Sequence, residues 1–267
     1  MSGAGLIYRY DGSFAGFLCC VFESYDKKEL PLDIAPLQRA EGSLFAAKWV
    51  ATDAGRARRV AASLPRRLGA EAASFVRRAF WTCLPQKELL LLRFLRLAYR
   101  VGPPVLRMLA DDAVAPLVKA VRYLERESHL FKGFVRFAET NGALVASIEP
   151  KNFVLPLLRA HFCERYPEER FLIHDRTHGA ALVYAPYKSA IVALEALETP
   201  HPDVKEAAFQ ALWRSYYEAV EIKARQNPKC RMTQMPKRYW KHMTEFAAPG
   251  GAPNEGGIIS LETREQR

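Results

Sequence analysis

The sequence lacks both a membrane-spanning segment and the pattern of a secretory signal. Its most apolar stretch, ELLLLRFLRLAYRVG, carries an arginine at every third or fourth position, whereas a membrane helix needs about 20 predominantly apolar residues in succession. The N-terminal MSGAGLIYRYDGSF has no basic segment followed by an apolar one, which a secretory signal would require. We therefore expect a cytoplasmic protein that does not associate with a membrane.

Motifs for a metal or a nucleotide cofactor are also missing. No P-loop, G-x-G-x-x-G, G-x-S-x-G or H-E-x-x-H sequence occurs, and these patterns would indicate a nucleotide or a familiar hydrolase site. The 5 cysteines are scattered without the C-x-x-C spacing of a zinc or iron–sulfur site, at Cys19, Cys20, Cys83, Cys163 and Cys230. The sequence therefore predicts reduced thiols, no metal and no cofactor.

Acidic residues are scarce in one segment of the chain. Between Gly55 and Arg107 there are twelve Arg and Lys residues against two Glu, a surplus equal to the whole net charge of +10. Such an asymmetry favours an anionic partner, most often the phosphates of DNA or RNA. A basic surface that only keeps the protein soluble is the alternative.

Local signals place elements in the first half of the chain. LIYRYDGS predicts a short strand and a turn, and Ser13 can cap the helix FAGFLCCVFESY that follows. SLFAAKWVA predicts a second strand, after which Thr52 or Asp53 can cap a helix. From residue 53 to about 132 the pattern is helical, with breaks expected at Pro65, Pro85 and Gly102-Pro103-Pro104.

The second half mixes strands and helices. Asn141-Gly142 lies between two alternating runs and predicts a type I′ hairpin. Asn152 is expected to cap the helix FVLPLLRAHFCERY, and RFLIHDRTHGAALVYA predicts a strand, a turn and a strand. A long helix is expected from Val204 to about Gln226.

Together these elements predict an α+β fold. We expect a small mixed or antiparallel sheet of about four to six strands, flanked by helices, with a helical insertion. Residues 1–52 and 134–246 would form the α+β core, and residues 53–133 the insertion. Residues 247–267 are rich in glycine and polar residues, so we expect a disordered tail.

The C-terminal segment QNPKCRMTQMPKRYWKHMTEF combines bases with aromatic residues. Basic side chains can pair with phosphates, and aromatic faces can stack on unpaired bases for about 1–3 kcal/mol each. The predicted nucleic-acid-binding residues here are Lys229, Arg231, Lys237, Arg238, Tyr239 and Trp240. Alternatively, Tyr239 and Trp240 pack into the core, as isolated aromatic residues of a short helix often do.

A second basic feature is the arginine stripe of Arg93, Arg96 and Arg100. Their spacing puts them on one side of a helix whose other positions are mostly apolar. We expect this stripe to contact a phosphate backbone, unless it serves only to keep the helix soluble.

Polar residues near predicted strand ends form a third candidate site, where α/β-type sheets often bind ligands. The members are Asp11, Arg136, His161, Arg165 and Asp175. His161 and Asp175 could act as an acid/base pair if the fold brings them together. Otherwise Asp11 and Asp175 are turn residues and His161 is a hydrogen-bonded core histidine. We do not expect His174, Asp175 and His178 to bind a metal, because they straddle a predicted turn.

Several segments together carry a resemblance to a known family. YRYDGSFAGFLCCVFESY, FKGFVRFAE, IEPKNFVLPLLRAHFCERYP, LIHDRTHG and NPKCRMTQMPKRYWKHMTEF, in this order, resemble a bacterial family described as probable DNA metabolism proteins. This family is a domain of unknown function encoded beside a radical-SAM protein of DNA modification or repair. Related domains are fused to uracil-DNA glycosylase-type domains. The resemblance implies a role in DNA repair or modification, with the radical-SAM protein as a partner.

Three hypotheses follow from the residues and the resemblance. The first is a DNA-binding accessory protein that holds single-stranded or distorted DNA for the radical-SAM enzyme. The second is an adaptor that docks this enzyme through the apolar helices of the insertion without contacting DNA. The third is a DNA-processing hydrolase that uses Asp11, His161 and Asp175.

Overall fold

A computed structural model describes residues 5–37, 45–197, 204–222 and 225–246 of the chain. It divides into two compact units, each with its own sheet. The first comprises Met1–Glu127 with Lys151–Phe153, and the second comprises Ser128–Pro150 with Val154–Arg267. The predicted disordered tail lies outside the described residues.

The first unit contains a parallel sheet of three short strands. They are β1 (Leu6–Tyr10), β2 (Asp33–Pro36) and β3 (Ala46–Trp49), in the order β2-β1-β3. The central strand β1 is buried at almost every position, as expected for a strand of a parallel sheet covered by helices. Its Tyr8 and Tyr10 belong to one apolar core with residues of the three helices that follow.

Helices complete the first unit. They are α1 (Phe14–Asp26), α2 (Ala54–Phe80), α3 (Lys87–Val101), a 3-10 helix (Pro103–Arg107) and the first part of α4 (Ala115–Phe134). Ser13 caps α1 and Asp53 caps α2, each by accepting a hydrogen bond from a main-chain N–H of the first turn. Both caps were predicted, with Thr52 as the alternative to Asp53.

The break inside α2 is at Gly69 and not at Pro65. Gly69 has φ 84° and ψ 162°, whereas Pro65 lies within the helix. Glycine adopts positive φ without the steric cost that a Cβ atom would impose. The break predicted at Pro65 is therefore wrong. Those predicted at Pro85 and at Gly102-Pro103-Pro104 are confirmed by the ends of α3.

The second unit contains a five-stranded mixed sheet. Its strands are β4 (Ala138–Thr140), β5 (Ala143–Ile148), β6 (Phe171–Asp175), β7 (Ala180–Ala185) and β8 (Lys188–Ala193), hydrogen-bonded in sequence order. β5 and β6 run parallel, so their carboxyl ends lie at one edge of the sheet. Asn141 and Gly142 have φ 51° and 74°, which confirms the predicted hairpin turn.

Three α-helices and a 3-10 helix accompany this sheet. They are α5 (Leu155–Arg165), α6 (Val204–Val220), α7 (Pro228–Gln234) and the 3-10 helix Lys237–His242. On β6, Phe171 lies in the aromatic cluster that also contains Phe137, Phe162 and Tyr184. This cluster is part of the core beneath α5.

The sequence predicts Asn152 as the cap of α5, but Asn152 does not cap this helix. The N-cap residue is Val154, which provides no side-chain cap. The Asn152 side chain is buried and instead accepts a hydrogen bond from the main chain of Cys83 at 2.9 Å and donates one to Glu127 at 2.7 Å. The prediction is wrong because the hydrogen-bond partners of this buried side chain lie far away in sequence.

The predicted α+β class is confirmed, but the strands form two sheets and not one. Strands β2 and β8 had not been predicted. The division into units also differs from the predicted core and insertion, because α2 and α3 pack on the first sheet and share its core. No helix in the described ranges is long and apolar enough to cross a membrane.

Candidate nucleic-acid interface

Exposed arginines cover the outer sides of α2 and α3. Arg93 and Arg100 of the predicted stripe are among them, and α2 adds Arg58, Arg59, Arg66, Arg67 and Arg77. Two other arginines of α2 are paired, Arg56 with Glu23 at 3.5 Å and Arg78 with Glu125 at 2.6 Å. Within the described residues, none of the other seven arginines named here forms an ion pair with an acidic side chain. Their charges are therefore available to an external anion.

Arg96, the middle residue of the predicted stripe, has a structural role. Its Nη2 donates hydrogen bonds to the carbonyl oxygens of Ser24 and Glu29 at 3.2 and 2.9 Å, and to the Ser24 hydroxyl at 2.9 Å. Its guanidinium also lies over the ring of Tyr25, 5.2 Å from the centroid. Arg96 therefore fixes the chain at the end of α1, and we withdraw it from the predicted phosphate contacts.

A groove lined by aromatic and basic side chains lies between α1, α2 and α3. Its volume is about 420 Å³, and its polar lining comprises Tyr25, Arg59, Ser63, Arg67 and Tyr99. The hydroxyl groups of Ser63 and Tyr99 are 2.6 Å apart. Burial raises the pKa of Tyr25, and the nearby Arg96 cation opposes this effect. The groove thus combines two cations with two neutral phenols.

Sequence reasoning missed this groove, although part of its signal was present. Arg59, Ser63 and Arg67 have the i, i+4, i+8 spacing that places residues in one row along a helix. The two tyrosines could not have been assigned to that row, because they come from α1 and α3. Their approach depends on how the three helices pack.

The C-terminal segment has a buried aromatic residue at its centre. Tyr239 is 3% exposed and packs against Phe131 and Phe134, with ring centroids 4.8 and 5.6 Å away. Trp240 stacks on Phe246 at 4.5 Å and donates its indole N–H to the carbonyl of Met235. Tyr239 is therefore packed within the unit, as in the alternative interpretation of the sequence. One face of the Trp240 ring is covered by Phe246.

The basic residues of this segment differ in accessibility. Lys229, Lys237 and Arg238 are exposed. The Arg238 guanidinium donates to the hydroxyl of Tyr239 and covers its ring. Arg231 is half-buried, lies over the Trp240 ring at 5.4 Å and is 3.9 Å from a carboxylate oxygen of Glu221. Lys229 and Lys237 are thus the more accessible cations of the segment.

Glu149 anchors the 3-10 helix to the sheet. It follows β5, and its carboxylate binds the ammonium of Lys241 and the Nε2 of His242, the latter at 3.1 Å. Arg176, which follows the parallel strand β6, is 3.5 Å from the same carboxylate. Burial alone would raise the pKa of Glu149, but Lys241 and His242 hold it below its usual value. Burial lowers the pKa of His242, although Glu149 opposes this effect.

Asp175 pairs with His178 and not with His161. The fully buried carboxylate of Asp175 accepts hydrogen bonds from the main-chain N–H groups of Thr177 and His178 and from Nδ1 of His178 at 2.7 Å. In the described structure no hydrogen bond joins Asp175 to His161. The acid/base pair considered in the sequence is therefore not formed. The neighbouring His174 is buried, and its Nε2 lies 3.0 Å from the carbonyl of Leu194.

Asp11 belongs to the first unit and organises the turn after β1. Its carboxylate accepts hydrogen bonds from the main chain and hydroxyl of Ser13 at 2.9 and 2.8 Å and from the hydroxyl of Thr52 at 2.7 Å. Burial would raise the pKa of Asp11, but these hydrogen bonds lower it overall. Asp11 is therefore a turn residue, which was the alternative interpretation of the sequence.

The remaining members of the predicted polar site share one cavity of the second unit. Arg136, His161 and Arg165 all line an open cavity of about 1180 Å³, together with Lys132 and aromatic residues of α6. Burial lowers the pKa of His161, and the cations of Lys132 and Arg165 lower it further. The structure thus brings three of the five predicted residues together and leaves Asp11 and Asp175 elsewhere. Among the residues it describes, no group of three or more His, Cys, Asp or Glu is arranged to hold a metal ion.

Comparison with known proteins gives a family but no activity. A family model described as a domain of unknown function (DUF4130) matches residues 85–245, which is more than half of the chain. No curated protein and no solved structure matches the chain.

Proposed function

The chain belongs to the DUF4130 family, a domain of unknown function, and from that premise we propose that it is a DNA-binding accessory protein of DNA repair or modification. It holds single-stranded or distorted DNA for a radical-SAM partner enzyme. The observation that supports this proposal is the set of exposed arginines on α2 and α3 that have no acidic partner among the described residues.

The electrostatic argument rests on a contrast within α2. A surface that serves only solubility normally intersperses charges of both signs. In α2, Arg56 and Arg78 have carboxylate partners, whereas Arg58, Arg59 and Arg66 have none among the described residues. Guanidinium groups form bidentate hydrogen bonds with phosphates, and several such contacts release counterions from the nucleic acid. The arginines of α2 and α3 therefore suit a polyanion.

The groove between α1, α2 and α3 supports a preference for unpaired strands. Arg59 and Arg67 can bind phosphates, while Tyr25 and Tyr99 provide aromatic surface beside them. Single-strand-binding proteins combine a basic groove with aromatic rings, because every base has a face that can stack. Duplex DNA keeps its bases stacked inside and would use the cations alone.

The repair role and the partner are proposed from the family resemblance of the sequence. The motifs from Tyr8 to Phe246 resemble proteins encoded beside a radical-SAM protein of DNA modification or repair. A protein that binds DNA through an arginine surface fits that setting as an accessory that supplies substrate affinity. The enzyme would then carry the chemistry.

Fluorescence anisotropy over a salt series tests DNA binding. We expect wild-type protein to bind labelled single strands more tightly than duplex, with affinity that falls steeply as salt rises. Arg67→Glu should weaken binding and reduce the salt slope by about 0.7 for each phosphate of the single strand that is no longer neutralised. Lys27→Glu is the matched control, because Lys27 is already paired with Asp26 at 3.0 Å. Weak binding with a flat salt dependence in all three proteins would contradict the proposal.

The same measurement on Lys237→Glu/Arg238→Glu tests the C-terminal segment. A smaller slope in this variant as well would extend the interface to the second unit. An unchanged slope would confine DNA contact to the arginines of α2 and α3.

An adaptor role is the second candidate, and a groove on α4 favours it. The groove has a volume of about 480 Å³ and combines the exposed Leu109 and Tyr123 with Lys119, Arg122 and Arg126. Most apolar side chains of α3 are buried, so on the helices of the insertion the exposed Leu109 and Tyr123 are the apolar residues that we propose for docking. If the wild type fails to bind DNA, and Tyr123→Glu abolishes co-elution with the purified radical-SAM enzyme, the adaptor role would replace the accessory role.

A further inference from the structure

The large cavity of the second unit has a basic end and an aromatic wall. Its basic end is formed by Lys132 at the end of α4 and by His161 and Arg165 on α5. α6 contributes three of its aromatic lining residues, Phe209, Trp213 and Tyr216, which we call the aromatic wall. From this combination we propose that the cavity binds a nucleotide, with the phosphate at Lys132, His161 and Arg165 and the base against the rings of α6.

The two cations of the basic end have no acidic partner among the residues that the structure describes. Lys132 and Arg165 are exposed, and neither forms an ion pair in the described parts of the chain. Both cations lower the pKa of His161 after the effect of burial, while Glu164 and a hydrogen bond with the main chain of Lys132 oppose them. Lys132 and Arg165 thus disfavour the protonated form of His161, and a phosphate bound beside the three groups would favour it.

The acidic residues that line the cavity, Glu139 and Glu206, are already engaged. Glu206 accepts hydrogen bonds from the main chain of Glu139 at 3.0 Å and from the amide of Gln210 at 2.8 Å. Glu139 is 3.7 Å from the ammonium of Lys205. The acidic groups therefore do not cancel the charge at Lys132 and Arg165, and an anionic ligand would be oriented with its charge toward α5.

The aromatic wall is held in place but left open. The Trp213 indole N–H donates to Glu245 at 3.1 Å, and the Arg136 guanidinium lies 5.6 Å from the Trp213 ring centroid. Tyr216, one helical turn further on, is 57% exposed, and its ring is 5.8 Å from that of Trp213. Exposed rings of fixed orientation suit a planar base, because stacking needs a preformed flat surface.

The size of the cavity fits a nucleotide with room for its neighbours in a strand. Small-molecule pockets usually measure about 300–1,000 Å³, and this open cavity is slightly larger. The ligand could come from two sources with the same chemistry, a free mononucleotide or an unpaired nucleotide of a DNA strand. The site lies in the second unit and does not depend on the arginines of α2 and α3.

Isothermal titration calorimetry with full-length protein tests this site. The probes are dAMP, deoxyadenosine and a four-nucleotide oligo-dA. We expect dAMP to bind at least tenfold more tightly than deoxyadenosine, because only dAMP carries the phosphate. Tight oligo-dA binding that Tyr216→Ala weakens and Arg67→Glu leaves intact, with weak dAMP binding, would identify an unpaired nucleotide of a strand as the ligand of this cavity, and the reverse a free nucleotide.

Matched variants separate the two ends of the site. Arg165→Gln should weaken dAMP about tenfold and leave deoxyadenosine unchanged, whereas Tyr216→Ala should weaken both ligands by roughly 5- to 100-fold because stacking is removed. Arg170→Gln and Tyr123→Ala are the controls, since these side chains are exposed outside the cavity. Arg67→Glu should leave dAMP binding intact, so failure of the DNA interface and failure of this site give different results.

Proton uptake provides an independent readout. Oligo-dA binding should tighten as pH falls from 8 to 6, because the phosphate favours protonated His161 and a phosphodiester does not titrate in this range. His161→Gln should remove this dependence. Failure of dAMP and oligo-dA to bind at millimolar concentration, or binding that Arg165→Gln and Tyr216→Ala leave unchanged, would overturn the proposal. Preferential binding of an acidic peptide would also overturn it.

Discussion

Arg136 holds the carboxylate of Glu245 through two hydrogen bonds, from Nε at 3.2 Å and from Nη2 at 2.7 Å. The Glu245 side chain is only 2% exposed, and the same carboxylate accepts the indole N–H of Trp213. One ion pair therefore joins the segment before β4 to α6 and to the C-terminal segment. It fixes Trp213 of the aromatic wall.

Removal of the guanidinium should destabilise the protein and loosen this wall. We expect Arg136→Ala to reduce the free energy of unfolding by about 2–3 kcal/mol, because it leaves the buried Glu245 carboxylate without its charged donor. Urea denaturation measures the decrease. Arg170→Ala, at an exposed position, should stay within about 0.5 kcal/mol of the wild type. Equal effects of the two substitutions would show that the pair has no structural role.

Stability should fall in acid over two ranges of pH. Burial lowers the pKa of His242 from 6.5, so the unfolded chain takes up a proton first and stability declines as pH falls below about 6.5. The pKa of Glu245 would be raised by burial, but Arg136 lowers it overall from 4.5, so its contribution is present above about pH 4.5 and disappears below. Thermal denaturation from pH 8 to 3 measures both. His161 contributes to the first decline, and Glu149 and Asp11 to the second, because their pKa values are also lowered. His242→Gln should therefore reduce the first decline and Glu245→Gln the second, and substitutions that leave both declines unchanged would contradict the assignment.

Arginines of one helix should separate into structural and interface residues. Arg96→Ala should lower the free energy of unfolding by about 2–3 kcal/mol, because its guanidinium holds two carbonyl groups and a hydroxyl. Arg93→Ala and Arg100→Ala, which remove exposed side chains, should change it by less than about 0.5 kcal/mol. For DNA binding we expect the opposite order: Arg93→Ala and Arg100→Ala should reduce the salt slope, and Arg96→Ala should not. A variant of Arg96 that folds normally but has a flat salt dependence would place it back in the interface.

Tyr239 should act as a core residue and not as a stacking platform. Tyr239→Ala should cost about 3–5 kcal/mol, since it removes a buried ring that packs on Phe131 and Phe134. Tyr239→Phe keeps the ring and should cost less than about 1.5 kcal/mol. Denaturation in urea provides both values. If Tyr239→Ala instead weakened oligonucleotide binding without a decrease in stability, the ring would have to be accessible.

Local chemistry could be predicted from the sequence, and long-range partners could not. The cap at Ser13 and the turn at Asn141-Gly142 depend on neighbouring residues, so they were identified in advance. Asn152 was expected to cap a helix, Asp175 to belong to a site and Arg96 to contact phosphate, because these residue types often have such roles. The actual partners of Asn152 and Arg96 are far away in sequence and depend on how the helices and strands pack. The same limit applies to the groove and the cavity. Each is assembled from different helices, and only the residues that one helix contributes have a spacing that can be recognised in the sequence.

If the protein binds DNA as proposed, the break in α2 at Gly69 divides its contacts along the strand. A straight helix would place Arg59, Arg66 and Arg77 within about 20° of one line along its surface, whereas α2 consists of two rods that meet at Gly69. Arg58, Arg59, Arg66 and Arg67 precede the joint, and Arg77 follows it. Two short clusters of protected phosphates, separated by an unprotected gap, are therefore the pattern that nuclease or hydroxyl-radical protection should reveal along a bound strand.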